Sequence, residues 1–309
     1  MDILESILYI IKDGVELGLI WSIMALGIFI SFRMLDFADL TAEGTLTLGS
    51  AITTSLILKL SLPGEVAVPI AMVVAILGGF IAGAITGLLH TKLKIPGILA
   101  GIISMTGLYS INLRVMGRAS LNLGEESTAY TFLRSIISDP FIAKTLTTLV
   151  IVVLIFFLLY WFFGTEIGMG LRATGMNQKM AKAQGINTDI MIILGLAIAN
   201  ALIALSGSLT AQSNKTSNMD LGKGTIVIGL ASIIIGEVIF GKRSFKNWLI
   251  SVILGSIVFQ IIIKVAIEIG LNPNDLKLVQ AILIAFILGL PYIKTLTNKK
   301  NKTEVSSNA

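Results

Sequence analysis

Apolar residues run in long blocks along almost the whole chain, and short polar stretches separate them. A helix rises about 1.5 Å per residue, so about 20 apolar residues cross the hydrocarbon core of a bilayer. By that measure the blocks at 14–32, 44–62, 66–90, 96–117, 141–163, 189–212, 224–241, 246–271 and 276–297 read as spanning helices, about nine in all. The fold class is therefore all-α, a polytopic integral membrane protein with one transmembrane domain over residues 1–297. The block at 224–241 is short and carries Gly229, Gly236 and Glu237, which predicts a broken or tilted helix. Residues Ile3–Ile11 are too few to span and read as an interfacial helix. The polar end, 298–309, reads as a disordered tail.

Composition agrees with this pattern. Hydrophobic residues make up 55% and charged residues only 13% of the chain, roughly half the charge of an ordinary soluble domain. The net charge of +5 does not point to nucleic acid, because the bases sit between apolar blocks, where they set orientation. Lys92 and Lys94, then Arg172, Lys179 and Lys182, then Lys242, Arg243 and Lys246, then Lys294 to Lys302 fall on alternate loops. All four groups can face the cytoplasm together. This places the C-terminus inside and, for an odd number of spans, the N-terminus outside. The acidic start, Met1-Asp2-Ile3-Leu4-Glu5, is unlike a secretory leader, so no cleavage is expected.

Several kinds of chemistry are excluded. There is no cysteine, so thiolate catalysis, disulfides and cysteine-based metal sites are ruled out. One histidine, His90, cannot build a multi-histidine metal centre, and it reads as an interfacial residue. No phosphate-binding G-x-x-x-x-G-K-[ST] motif occurs; Leu221-Gly222-Lys223-Gly224-Thr225 lacks the spacing. The chain is not expected to be an enzyme, to hold a metal or to bind a cofactor.

Polar groups inside the blocks are costly and mark function. The segment Ser31 to Gly44 predicts a broken helix near residues 33–44 and carries Asp36, Phe37, Asp39 and Glu43. It reads either as a solvated cytoplasmic turn or as a re-entrant segment lining a path, since non-helical backbone at depth needs protein or water around it. Asn200 and Glu237 are further in-membrane polar candidates. Gln260, Lys264 and Glu268, four residues apart, share a helix face and allow a Lys264–Glu268 pair. Gly79, Gly83 and Gly87, and Gly97 with Gly101, form small-residue rows suited to close helix packing, within the chain or between copies.

The loop 164–188 is the most conspicuous polar stretch between spans. Its glycines break helices, and its middle, Asn177 to Gln184, is basic and helix-prone. It suits a short helix on the cytoplasmic surface, offered to a soluble partner. The outer segment 118–140 is the longest external loop, with Arg118, Glu125, Glu126 and Arg134.

These residues resemble a known family. Gly168-Met169-Gly170-Leu171-Arg172-Ala173, then Asn177, Ala181 and Gly185-Ile186-Asn187, look like the cytoplasmic coupling segment of ABC importer permeases of the branched-chain amino acid and ribose class. The small-residue stretch 197–211, the run Gly229 to Gly236, and Leu35-Asp36-Phe37-Ala38 after Ala25-Leu26-Gly27 follow in the family's order. The nearest subgroup is that of tryptophan/tyrosine importer permeases. Asp36 and Asp39 stand where branched-chain permeases show Asn-Phe-Ala-His-Gly, which points away from branched-chain and ribose cargo. The resemblance implies a homodimeric permease subunit in the plasma membrane, forming the path for a small solute, an aromatic or branched-chain amino acid. It implies two cytoplasmic ATPases that use the ATP, gripping Gly170, Leu171, Arg172, Ala173, Asn177, Ala181, Gly185, Ile186 and Asn187. It also implies an external substrate-binding lipoprotein. The alternative is a secondary transporter driven by an ion gradient through Asp36, Asp39, Glu43 or the Lys264–Glu268 pair.

Overall fold

The computed structural model describes residues 3–60, 62–134, 137 and 139–269, with isolated positions 278, 280–282 and 285. The expected ninth span at 276–297 and the tail at 298–309 lie outside the continuously described residues. The N-terminal helix α1 runs unbroken over Ile3–Ile28 and continues through a π-helical turn, Phe29–Met34. Residues 3–11 are thus continuous with the first span and not a separate helix. No proline interrupts the sequence there, and Gly14 is tolerated because it sits against Ile261 of a neighbouring helix.

The remaining helices are α2 Thr41–Lys59, α3 Gly64–Thr91, α4 Gly97–Met116, α5 Ala129–Arg134, α6 Pro140–Gly164, α7 Glu166–Met176, α8 Gln178–Ala183, α9 Thr188–Asn214, α10 Thr225–Phe240 and α11 Phe245–Glu268. Among the described residues six helices are long and apolar enough to cross a bilayer: Ile10–Met34, α3, α4, α6, α9 and α11. The α10 helix has only 16 residues and is continuous, where the sequence predicts a broken or tilted helix. The α2 helix is long enough but carries Thr41, Thr45, Thr47, Ser50, Thr53, Thr54 and Ser55, all buried. Such hydroxyls are tolerated because each finds a partner. Thr45 and Thr54 donate to the carbonyls of Thr41 and Ser50, while Ser50 meets Ser217 at 2.9 Å and Thr53 meets Ser208 at 2.7 Å. The helix is therefore enclosed by protein.

The centre of the bundle is α9, which packs against α1, α2 and α3, while α1 also lies along α11 and α10 along α11. Two thirds (67%) of the most apolar stretch of α9 is buried, against 22% for α4. On α3, Val73, Leu77, Ile81 and Ile85 recur every fourth residue and are 49–58% exposed, forming a face suited to lipid. The glycine row lies on the other side. A Cβ at Gly83 would sit 2.2 Å from the carbonyl oxygen of Leu196, and one at Gly79 2.4 Å from that of Asn200. Gly97 and Gly101 likewise admit Phe37 and Leu40. Both rows thus serve packing within the chain.

At one end of the bundle a two-stranded antiparallel ribbon pairs β1, Ser120–Asn122, with β2, Thr216–Asn218. It ties together the two loops that the charge pattern places outside. At the other end Lys94 and Lys182 both approach Asp189, at 4.0 and 3.9 Å, which gathers the expected cytoplasmic turns.

Candidate functional site

The break in the first pair of helices is built by a change of helical pitch. In the π-helical turn the Leu35 N–H reaches the Ile30 carbonyl and the Phe37 N–H reaches that of Ser31, so the chain widens and then leaves the helix. Asp36 follows with φ +53°, a left-handed conformation that a short polar side chain tolerates better than a bulky apolar one. Its side chain is exposed. Phe37 is buried, edge-on to His90 at 5.1 Å. The His90 ring nitrogen Nδ1 lies 2.8 Å from the Ile95 carbonyl.

Asp39 is 1% exposed and takes two hydrogen bonds. Its Oδ1 accepts from the Thr41 N–H at 3.0 Å, capping the start of α2, and its Oδ2 accepts from Asn200 Nδ2 at 2.6 Å. Asn200 also donates to the Leu196 carbonyl. It stands at the middle of the 27-residue α9, so the start of α2 lies at about half the depth of the bundle.

Glu43, in the first turn of α2, meets a second chain reversal. After β2 the chain runs back down α2: Ser217 lies on Ser50, and the Gly222 N–H donates to Thr47 Oγ1 at 3.1 Å. The Gly224 N–H then donates to Glu43 Oε1 at 3.0 Å. Gly224 has φ +86° and opens α10. No larger residue fits at Gly222, where a Cβ would lie 1.9 Å from the Glu43 carbonyl oxygen. Two helices, α2 and α10, thus begin at depth beside one another.

Glu237, near the end of α10, accepts a 2.7 Å ion pair from Arg33 and a hydrogen bond from Trp248 Nε1 at 2.9 Å. Of the six in-membrane candidates, Asp36, Phe37, Asp39 and Asn200 gather at the break. Glu43 lies one turn further along α2, and Glu237 closes the base through Arg33. The outer polar stripe pairs differently from expectation: Lys264 binds Asp13 of α1. Gln260 is buried.

The loop 164–188 is mostly helical. Thr165 Oγ1 caps α7 by accepting the Gly168 N–H, and Asn177 caps the six-residue α8 by accepting the Met180 N–H. Asn187 caps α9 through the Ile190 N–H, and Gly185, at φ +84°, makes the turn between them. Leu171 and Ala181 are buried. Gly170 packs near Met191, Ala173 accepts the Asn177 N–H, and the Ile186 N–H returns to the Ala181 carbonyl. Arg172 lies over the Phe245 ring at 4.8 Å, beside an open hollow of about 410 Å³. The outward face shows Met176 at 88% and Met180 at 58% exposure.

The α7 helix rests directly on the break. A Cβ at Gly175 would lie 1.8 Å from the Met34 carbonyl oxygen, and Leu35 and Leu171 both pack onto Gly195. Nothing local in the sequence marks this contact, the Arg33–Glu237–Trp248 group, or the pairing of Glu43 with the segment at 219–224. In the sequence that segment shows only an outer loop and an imperfect phosphate-loop string. Its glycines at 222 and 224 were the available signal of a reversal. Among the described residues no cluster of three or more His, Asp or Glu side chains could hold a metal ion.

Comparison with known proteins places this architecture. The family model described as branched-chain amino acid transport system / permease component matches residues 10–288. The chain is 40% identical over 292 residues to the tyrosine transport system permease protein of Clostridioides difficile (strain R20291), covering 92% of each chain. It is 24% identical over 267 residues to the galactose/methyl galactoside import permease protein of Escherichia coli (strain K12), covering 83% of this chain and 78% of that one. It is 22% identical over 218 residues to the ribose import permease protein of Haemophilus influenzae (strain ATCC 51907 / DSM 11121 / KW20 / Rd), covering 70% of this chain and 66% of that one. No solved structure matches the chain. With its apolar spanning helices, the chain belongs to the family of permease components of branched-chain amino acid transport systems, multi-pass plasma-membrane subunits of ATP-driven importers.

Proposed function

We propose that this permease carries an aromatic amino acid and that α7 and α8 are the lever through which a cytoplasmic ATPase moves the break. The observation that carries the lever is the seat of Gly175 on the Met34 carbonyl. Backbone packed on backbone transmits displacement with little slack, because a close-packed interior has no voids to absorb it. Met176 at the end of α7 and Met180 on α8, both toward water, suit a cleft in a soluble partner. ATP is bound and used in that partner, and this chain supplies the path and the lever.

The cargo reading rests on the tyrosine permease relative, which matches along nearly the whole chain. Asp36 and Phe37 at the break, Asp39 with Asn200 behind it, Glu43 and Glu237 form or support the path. The assembly is a homodimer above two ATPases, fed by an external binding protein that docks on the ribbon and the loop at 118–134. The concentration of bases at the end that holds Lys94, Arg172, Lys182 and Lys242 supports a cytoplasmic lever and C-terminus.

The test is uptake of labelled L-tyrosine by cells that express the chain with its partner subunits. Deleting the chain is expected to abolish the high-affinity component, and excess L-tryptophan or L-phenylalanine to compete with it more strongly than excess L-leucine or ribose. Unchanged uptake in the deletion strain refutes the cargo.

A further inference from the structure

Glu43 borders a cavity of about 280 Å³ between α2, α4 and the returning segment at 219–223. Met105 and Tyr109 of α4 and Met219 form its apolar wall; Glu43, Thr47 and Asn112 form its polar one. The polar groups are not equally satisfied. Thr47 donates to the Glu43 carbonyl and accepts from Gly222. Asn112, only 1% exposed, donates through Nδ2 to the Gly44 carbonyl at 3.0 Å. That bond fixes the amide's orientation, since a carbonyl can only accept. Its Oδ1 is left without a hydrogen-bond partner. Lys223, at the cavity's edge, pairs with Asp220.

The polar wall therefore offers an acid and an unpartnered acceptor, and the cation on the lining, Lys223, is engaged by Asp220. An orphaned buried acceptor is a standing cost that a bound donor removes. An ammonium group carries three donors and matches this pair, and a thioether-lined wall suits an aromatic ring. We propose that this cavity is the permease's own substrate site and holds the α-ammonium group of an amino acid between Glu43 and Asn112 Oδ1, with an aromatic side chain against Met105, Tyr109 and Met219. This rests on the amino acid cargo argued above and adds where the cargo sits and by which end it is held. A cavity at half depth is where an alternating path holds its cargo.

The chain has no cysteine, so a single Thr106→Cys in the cavity wall is its one maleimide target. The experiment follows maleimide labelling of Thr106→Cys in membranes holding the complete importer, with L-tyrosine uptake measured in parallel. Three probes are compared: L-tyrosine, tyramine, which lacks the carboxylate, and 3-(4-hydroxyphenyl)propionate, which lacks the ammonium. L-tyrosine and tyramine are expected to slow labelling roughly tenfold at about ten times their dissociation constants. The propionate is expected to have no effect. Glu43→Gln keeps an oxygen for the Gly224 N–H, so the fold is retained while protection is lost; Asn112→Ser is expected to weaken it too. If uptake proceeds but no probe protects, or the propionate protects as well as tyrosine, or protection survives Glu43→Gln, the site is wrong and the importer stands. If the unmodified importer takes up no tyrosine, the cargo fails and the site with it.

Discussion

A Met180→Glu variant is expected to reach the membrane at normal levels and to transport at no more than about a tenth of the normal rate, a loss of ~1.4 kcal/mol or more in productive coupling. Met180 is 58% exposed on the six-residue α8, whose fold depends on the Asn177 cap and on buried Ala181. A charge at that position stays in water in the isolated permease, where surface changes cost within about 0.5 kcal/mol. In a dry cleft of an ATPase the same carboxylate loses its water and costs several kilocalories per mole unless it is paired. Arg172→Ala separates two roles of the neighbouring helix, because Arg172 lies over Phe245 and not on the outward face of α8. The readouts are the permease level in membranes and the ATPase activity that copurifies with it. Normal transport by Met180→Glu removes α8 as the contact.

Asp39→Leu is expected to destabilise the chain by about 2–4 kcal/mol, combining a lost helix cap with a buried amide deprived of its acceptor. Asp39 holds both the start of α2 and the middle of α9 through bonds of 3.0 and 2.6 Å. Asp39→Asn keeps an oxygen for the Thr41 N–H but sets two amides against each other, so it costs less than leucine. Pairing it with Asn200→Asp restores the donor–acceptor match across the break. The recovery is partial, because Asn200 also donates to the Leu196 carbonyl, which an aspartate cannot do. Thermal unfolding in detergent of the two single variants and the double variant gives the coupling between the sites. A stable Asp39→Leu chain means that the break is held by packing alone.

These two residues also show what can be read from a chain of this kind. Apolar blocks announced the membrane helices, because length and hydropathy suffice for that. The block at 44–62 announced α2 as well, but not its enclosure, which shows only where Ser50 and Thr53 meet Ser217 and Ser208 far along the chain. The break at 33–44 was visible as acids between apolar blocks. The division of labour there was not: Asp36 points to the surface, Asp39 is a buried anchor, and Glu43 faces a segment some 180 residues later. Hydrogen-bond partners separated by 161 or 181 positions leave no local periodicity to detect. Lys264 and Glu268 had the correct spacing for a pair, yet α1 brought Asp13 to Lys264. Local spacing states which pairs are possible, and tertiary packing chooses among them. The glycine rows were legible as contact faces, and their partners, α9 for the row at 79–87 and the segment Phe37–Leu40 for Gly97 and Gly101, became visible only in the fold.

ATP hydrolysed in a partner, acting through α8, drives this path in the proposed mechanism. This coupling is tested most directly by L-tyrosine uptake in cells whose ATP is held constant by glycolysis while ionophores collapse the proton and sodium gradients. Uptake is expected to continue at its normal rate and to stop when ATP is depleted with the gradients intact. Uptake that ends with the gradients while ATP stays constant contradicts that coupling, and would make the acids of the break the carriers of an ion-coupled cycle.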